Sequence, residues 1–165
     1  MVSHLNEEQR RSSSKAARLS ALRCLAQRRL TESQLWARLE RKGFPDEEVR
    51  EAVASCKRDG YIDDKLFAEL FIEQKRKAIG NSRLVGELVK RGIDREVAAF
   101  AIQRASADEP QRADEAIIKL FRTKSGLSYP SAARTLERLG FPASLIYRKL
   151  REHATAFGPL ADLGS

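Results

Sequence analysis

The residues of this chain best suited to chemistry are basic, and they recur at one position of a repeated segment. Arg41-Lys42 and Lys90-Arg91 each precede a glycine, and Arg138-Leu139 precedes a third. Lys and Arg side chains bind phosphate and carboxylate oxygens, so their recurrence favours a surface for a polyanion. A cation at the C-terminal end of a helix also stabilises the helix dipole, which is the simpler explanation for any one of these residues.

Other basic residues belong to the same candidate surface. Arg38 and Arg83 share short amphipathic segments with leucines, which places the leucines toward a core and the cations outward. A run of three cations comes where the fourth predicted helix ends, and Arg148 and Lys149 are alternative contacts in the third repeat. The complete candidate set is Arg38, Arg41, Lys42, Lys75, Arg76, Lys77, Arg83, Lys90, Arg91, Arg134 and Arg138.

The sequence contains no set of residues with the types and spacing of a known catalytic site. The only histidines are His4 and His153, both near a terminus, so neither an HExxH site nor a His-based triad is available. Asp63-Asp64 directly precedes an apolar helix, which favours helix capping over Mg²⁺ binding. The glycines form neither a P-loop nor a GxGxxG motif. We therefore predict a protein that is not an enzyme, with no catalytic, cofactor-binding or metal site.

The net charge limits the classes of binding partner that the sequence predicts, and the cysteines indicate the cellular compartment. The formal net charge is +8 in 165 residues, which favours nucleic acid, an acidic protein surface or anionic lipid. A merely solubilising charge is the alternative. Cys24 and Cys56 form no CxxC and predict two buried thiols in a reducing compartment. Without a signal peptide or a membrane-spanning run, the sequence predicts a cytoplasmic protein with no membrane partner.

A repeat of about fifty residues organises the chain. Gly43, Gly92 and Gly140 lie 49 and 48 residues apart. Apolar positions keep the same spacing, as in Leu39, Leu88 and Leu136, in Leu22, Phe71 and Phe121, and in Val49, Val97 and Ile146. Such a period indicates one supersecondary unit copied three times.

Helix start and stop signals define that unit. Thr31 and Gln34 have the spacing of a capping box, and Leu30 and Leu35 form the hydrophobic staple around it. Gly43 supplies the left-handed residue that ends the helix. Applied throughout, these rules predict nine helices, at 14–29, 31–42, 46–58, 64–77, 82–91, 95–106, 109–124, 130–139 and 143–154.

The predicted fold is all-α, with three tandem three-helix repeats forming an elongated array. The predicted segments are a flexible N-terminal tail (1–13), three repeats (14–60, 61–108 and 109–155) and a flexible C-terminal tail (156–165). Trp36 and Tyr61 have side chains that can stack on bases, although the position of Trp36 favours a core contact. The phenylalanines at repeat positions are assigned to the core: Phe44, Phe67, Phe71, Phe121 and Phe141.

Two segments resemble the RecX regulators, the bacterial modulators of the RecA recombinase. The first is Gly60-Tyr61-Ile62-Asp63-Asp64 with the following Phe67-Ala68 and Phe71-Ile72, and the second runs from Ser82-Arg83-Leu84 through Glu87-Leu88 to Arg91-Gly92-Ile93. The weaker third ending, Leu139-Gly140-Phe141, fits as well. The linker Ala78-Ile79-Gly80-Asn81 departs from the family pattern. It lacks the Gly-x-Gly-Pro character and the doubled arginine that are typical of the family between the fourth and fifth helices. The resemblance covers roughly residues 17–152.

The resemblance implies a curved, all-helical regulator without catalytic residues or cofactors. Its partners would be the RecA–DNA filament and, without sequence preference, single- and double-stranded DNA. It would act as a monomer that modulates, by inhibition, recombinase ATPase and strand exchange in DNA repair, recombination and the SOS response. The alternatives are a stand-alone, sequence-tolerant nucleic-acid-binding protein and a helical-repeat scaffold for another protein.

Overall fold

The computed structural model of the protein describes residues 2–105 and 108–157, and within them the chain is helical throughout, with no strand. This confirms the all-α prediction. The nine α-helices of the described residues are α1 (Val2–Gln27), α2 (Glu32–Arg41), α3 (Asp46–Arg58), α4 (Asp64–Lys75), α5 (Asn81–Lys90), α6 (Arg95–Ala105), α7 (Glu109–Thr123), α8 (Tyr129–Arg138) and α9 (Ala143–Phe157). A 3₁₀ turn, Arg76–Ala78, follows α4.

The first helix differs most from its predicted bounds. It begins at Val2, so the described part of the predicted N-terminal tail is helical. Polar contacts to α3 hold this part of α1: Arg10 bonds to Glu47 at 3.0 Å, and the Ser13 hydroxyl donates to the Glu48 carboxylate. Because these contacts are polar, they leave no apolar periodicity by which the sequence would reveal the helix. At the other terminus α9 extends to Phe157, and residues 158–165 lie outside the described residues.

The predicted start and stop signals are confirmed at α2. The Thr31 hydroxyl accepts a hydrogen bond from the Gln34 amide at 3.1 Å, and the Gln34 side chain accepts one from the Thr31 amide at 3.3 Å. Gly43 has a φ of 85°, and Gly92 and Gly140 have 83° and 89°. Since L-residues with a Cβ rarely adopt this conformation, the three glycines end the second helix of each repeat in the same way.

The chain divides into two compact units. The first comprises residues 1–68 together with 89–94. Its core contains Leu30, Leu35, Leu39, Val49 and Val53, and Trp36 packs against this core as predicted, half-buried. Cys24 and Cys56 are buried free thiols there, and burial raises the pKa of Cys56.

The second unit comprises residues 69–88 together with 95–165. Its core gathers residues of α7, α8 and α9, among them Ile117, Leu136, Phe141 and Ile146. In α6 the buried residues are Ala98, Ala101 and Ile102, whereas Val97, the neighbour of Ala98, is only half-buried. The predicted equivalence of Val97 with Val49 is therefore shifted by one residue.

Aromatic side chains are less buried than predicted. Phe71 and Phe141 are in the core, but Phe44, Phe67 and Phe121 are half-buried. Short helices present a narrow apolar stripe, so a ring at the margin of that stripe keeps one face in solvent. Among the described residues, no helix has the length and the apolar content that crossing a membrane requires.

Candidate polyanion-binding surface

Within the first unit, the glycine turn of the second repeat docks on the start of α2. The Thr31 hydroxyl donates a hydrogen bond to the Arg91 carbonyl oxygen at 2.6 Å. A Cβ added to Gly92 would collide with the Ser33 side chain, so the turn backbone lies directly against that residue. This contact explains why residues 89–94 belong to the first compact unit.

The second unit contains the same contact one repeat later. The Gly80 amide donates to the Leu139 carbonyl oxygen at 2.8 Å, and the Arg83 guanidinium donates to the Arg138 carbonyl oxygen at 3.2 Å. A Cβ on Gly140 would collide with the backbone nitrogen and Cβ of Arg83. Both units therefore use one docking mode. The residue before the glycine accepts a hydrogen bond at its carbonyl oxygen, and the donor lies at the start of the second helix of the preceding repeat.

In the first unit this docking places two basic pairs at opposite ends of α2. The Lys90-Arg91 pair is held at the N-terminal end through the Arg91 carbonyl oxygen. Arg41 and Lys42 lie at the C-terminal end and are both exposed. Ten helical residues span about 15 Å, which separates the two pairs.

Two predicted contact residues of the first unit are less accessible than expected. Arg38 and Arg91 are half-buried, and Arg91 follows the last residue of α5 and makes side-chain or backbone interactions of its own. The prediction that Arg91 is an exposed helical position is therefore wrong. Docking of the turn covers part of the residue, an effect that helical periodicity alone does not contain.

In the second unit the structure gathers predicted basic residues around one cleft. Arg134 and Arg138 line an open cavity of about 660 Å³ together with Lys124, Ser131 and Glu137, so its lining holds three cations and one acidic side chain. The Arg134 guanidinium donates to the Ser131 hydroxyl at 3.2 Å, which orients it along α8. Lys124 was not among the predicted residues, because it lies after α7 and outside the recurring basic position.

The basic run after α4 has a partly structural role. Lys75 ends α4 and is exposed, as is Lys77. Arg76 is half-buried, and its guanidinium lies 3.7 Å from an Asp108 carboxylate oxygen. Of the three residues, Lys75 and Lys77 are thus the better placed for a polyanion.

A buried arginine that the sequence did not single out organises the same region. Arg112 is 4% exposed, and its guanidinium donates to the carbonyl oxygens of Arg76 at 2.9 Å and Ile79 at 2.5 Å. It also donates to Asn81 Oδ1 at 2.6 Å and to the Asp108 carboxylate at 3.1 Å. Arg112 therefore fixes the segment between α4 and α5 and is not available to a ligand.

An alternative contact in the third repeat is also engaged within the protein. The Lys149 ammonium lies 2.7 Å from an Asp114 carboxylate oxygen and 3.0 Å from one of Glu152. The hydrogen bonds to these carboxylates raise the pKa of Lys149, which keeps it charged. Lys149 thus has two acidic partners before any external polyanion approaches.

The paired aspartates cap helices. Asp63 accepts a hydrogen bond from the Leu66 amide at 2.9 Å at the start of α4. Asp64 accepts one from the Glu32 amide at 2.9 Å and so caps α2 as well. Within the described residues, no group of three or more His, Cys, Asp or Glu side chains is placed to hold a metal ion.

Partial burial raises the pKa of Asp64, although its hydrogen bond from the Glu32 amide opposes this shift. Its folded-state pKa lies above the unfolded value, so the folded protein binds the additional proton. The contribution of Asp64 to stability therefore falls as the pH rises through the raised pKa.

We expect Asp64→Asn to keep the cap, to unfold at neutral pH with a free energy equal to or above that of the parent, and to lose this part of the pH dependence. Asp64→Ala removes the acceptor and should cost about 1 kcal/mol. Urea unfolding of both variants between pH 4 and pH 7 measures the difference. A greater loss of stability in Asp64→Asn than in Asp64→Ala would contradict the capping role.

Comparison with known proteins agrees with the repeat. Residues 17–56, which span the core of the first repeat, match the family model described as RecX, first three-helix domain. The chain is 32% identical to the regulatory protein RecX of Amycolatopsis mediterranei over 146 residues, which cover 84% of this chain and 83% of the relative. It is 38% identical to the regulatory protein RecX of Caldanaerobacter subterraneus over 84 residues, or 50% of this chain and 43% of that protein.

The fold also matches a solved structure. The crystal structure of RecX from Lactobacillus salivarius superposes with a TM-score of 0.76 at 20% sequence identity, covering 86% of this chain and 96% of that one. At this identity the match shows the fold alone. The identity to the Amycolatopsis relative, over most of both chains, shows the family. The chain therefore belongs to the RecX family of regulatory proteins.

Proposed function

We propose that this protein binds the RecA–DNA nucleoprotein filament in the cytoplasm and inhibits recombinase ATPase and strand exchange during DNA repair and recombination. The observation that carries the proposal is the cationic cleft of Lys124, Arg134 and Arg138, together with the exposed pair Arg41-Lys42 in the first unit, on a member of the RecX family. Guanidinium and ammonium groups in such positions fit phosphates of the DNA or carboxylates of the recombinase.

Repetition suits a filament as the partner. A filament repeats its surface at every protomer, and this chain repeats one docking mode and one basic position. Several weak contacts linked on one chain raise affinity strongly, because each later contact is intramolecular. Binding across neighbouring protomers would restrain the filament without any catalytic step.

The experiment that tests the proposal is the DNA-dependent ATPase of the cognate recombinase, titrated with this protein. We expect inhibition that saturates at fewer chains than recombinase protomers, since one chain with several contacts covers more than one protomer. An ATPase rate unchanged at every ratio, together with no binding to the filament in sedimentation, would overturn the proposal.

Two charge-reversal variants locate the surface. Variant one carries Arg41→Glu, Lys42→Glu and Lys90→Glu, and variant two carries Lys124→Glu, Arg134→Glu and Arg138→Glu. All six residues are exposed, so the helical content should not change. We expect each variant to bind the filament about tenfold more weakly at low salt, and less so at high salt, where counterions already screen the contacts.

A matched control separates the surface from net charge. Arg50, Lys65 and Lys119 are exposed cations outside both groups, so the triple Glu variant of these residues has the same net charge as either test variant. It should bind the filament within about twofold of the parent. Charges that lie farther than a Debye length from the contacts are screened by salt and contribute little to the affinity. Equal weakening in all three variants would assign the effect to net charge and remove the proposed surface.

A second candidate function is binding of nucleic acid without the recombinase. The observation that favours it is Tyr61, whose side chain is 57% exposed and available for stacking on a base. Binding of single-stranded DNA alone, with a steep salt dependence and a loss on Tyr61→Ala, would support it. Under the filament proposal, Tyr61→Ala leaves the inhibition of the ATPase intact.

A further inference from the structure

We propose that copies of this chain associate head to tail, with the Lys42-Gly43 turn of one copy docked on the start of α8 of the next. The chain already makes this contact twice within itself. The turn at Gly92 docks on the start of α2 in the first unit, and the turn at Gly140 docks on the start of α5 in the second. The turn at Gly43 and the start of α8 at Ser128 are the two equivalent elements that this pattern leaves without a docking contact in the described residues.

The first turn has the geometry of the docked turns, but no helix start lies against its glycine. The Gly43 amide donates to the Glu40 carbonyl oxygen at 2.8 Å, and the equivalent bonds of Gly92 and Gly140 are both 2.9 Å. A Cβ added to Gly43 would meet no heavy atom within 4 Å, whereas a Cβ on either of the other two glycines would collide with its docking partner. The turn is therefore preformed and accessible.

The exposure of the residue after each glycine also differs between the docked turns and the open turn. Ile93 and Phe141, which follow docked turns, are 2% and 4% exposed. Phe44, which follows the open turn, is only half-buried although it packs against the core of the first unit. Docking on a second copy would remove the remaining apolar surface of Phe44 from water, which stabilises the contact.

The acceptor in the third repeat is exposed where its counterparts are covered. Thr31, Gly80 and Ser128 occupy the residue before the second helix of each repeat, and Thr31 and Gly80 are buried under a docked turn. Ser128 is exposed. Its hydroxyl accepts a hydrogen bond from the Ser131 amide at 3.4 Å and donates one to the Ser131 hydroxyl at 3.0 Å. By giving up the donated bond, it can donate to an incoming carbonyl oxygen as the Thr31 hydroxyl does.

An open cavity lies at this acceptor. It has a volume of about 460 Å³ between α8 and α9, and its apolar wall includes Pro130, Ala133 and Leu150. Pro130 is in register with Ser33, the residue that the Gly92 turn touches, because the spacing from Thr31 to Ser128 equals that from Leu39 to Leu136. Ser131 is in register with Arg83, the residue that the Gly140 turn touches, and it lines the neighbouring cavity, which shares Arg134 with this one. The position of a docked turn therefore lies at the border of the two cavities.

A contact of this kind is heterologous, because one copy offers a turn at one site and receives a turn at a different site. Heterologous contacts build closed rings when the rotation between copies closes and open chains when it does not. A single turn buries little area, so the free protein is a monomer when dilute and associates only at high concentration. Side-by-side binding of copies on a common polymer would raise the local concentration and strengthen the contact.

Cysteine cross-linking tests the geometry with the full chain and without recombinase or DNA, so its failure is distinct from failure of the proposed function. Lys42→Cys and Ser131→Cys are purified separately and mixed with a short bifunctional maleimide. We expect the mixed 42–131 dimer at a yield at least fivefold above that of either variant alone. The native thiols Cys24 and Cys56 are buried and should react slowly. A mixture of Lys42→Cys with Glu115→Cys, an exposed position on α7, should give only the background yield.

A blocking variant and sedimentation complete the test. Pro130→Trp fills the cavity from an exposed position and should lower the 42–131 yield at least fivefold, whereas Glu115→Trp should leave it unchanged. Sedimentation velocity of the parent should show a mass that grows with concentration above that of the monomer. Equal yields for all cysteine pairs, a yield indifferent to Pro130→Trp in a protein that keeps its helical content, or a concentration-independent monomer would each overturn the proposal.

Discussion

Gly92→Ala and Gly140→Ala will each destabilise the protein by about 2–4 kcal/mol, whereas Gly43→Ala will cost about 1 kcal/mol. All three glycines have φ between 83° and 89°, so the backbone strain of an added Cβ is the same at each. Only at Gly92 and Gly140 does that Cβ also collide with a docked helix start, through Ser33 and Arg83. The difference between the variants therefore measures the docking contact, with Gly43→Ala as the matched control.

Urea unfolding monitored by circular dichroism gives the three free energies. Because the chain has two compact units, weakening one docking contact can separate the unfolding into two transitions. The slope of the unfolding free energy against urea concentration is therefore compared between variants as well as the midpoint. Equal losses at the three glycines would mean that docking of the turns contributes nothing to stability. A loss at Gly43 as great as at Gly92 would also contradict an accessible first turn.

Replacement of the buried arginine is expected to have the largest effect of any single side chain in the second unit. Arg112→Met keeps the length of the side chain but leaves the carbonyl oxygens of Arg76 and Ile79 and the Asn81 side-chain oxygen without their donor. Buried acceptors without partners and the loss of the Asp108 ion pair should cost about 3–5 kcal/mol.

Arg112→Lys distinguishes charge from geometry. A single ammonium cannot reach four acceptors that surround a planar guanidinium, so we expect it to recover less than half of the loss. The same unfolding measurement applies, and amide hydrogen exchange of residues 76–81 should accelerate, because their backbone loses its anchor. Full recovery by Lys would show that the positive charge beside Asp108, rather than the fork of hydrogen bonds, stabilises the turn. A neutral Arg112→Met would contradict the structural role altogether.

The helical content and the repeat could be predicted from the sequence, because both depend on local chemistry. The capping box at Thr31 and the glycines that end the second helices act within a few residues of the chain, and the fifty-residue repeat is visible in the sequence as the spacing of those glycines. Asp63 as a cap follows from the same rules. The family resemblance rested on residues 60–72 and 82–93 and on the weaker ending at 139–141, and it is confirmed by the 32% identity to a relative over most of both chains.

The recurring basic positions were also evident, but their surroundings were not. Periodicity placed Arg134 and Arg138 on one face of a helix, and it had no means of adding Lys124, which joins them only when α7 and α8 pack together. The same rules treated Arg91 as an exposed residue, while docking of its turn leaves it half-buried. Long-range packing changes accessibility without changing any local signal.

The sequence by itself thus determined which segments are helices, where they end and that they come in three copies. Tertiary structure alone decided that the Gly92 and Gly140 turns seat on the preceding repeat, that Arg112 is buried among carbonyl oxygens and that α1 begins at Val2. The physical reason is the distance along the chain over which each interaction acts. Caps and periodic stripes act over one or two helical turns, whereas docking joins groups 55 to 60 residues apart and depends on the shape of both partners.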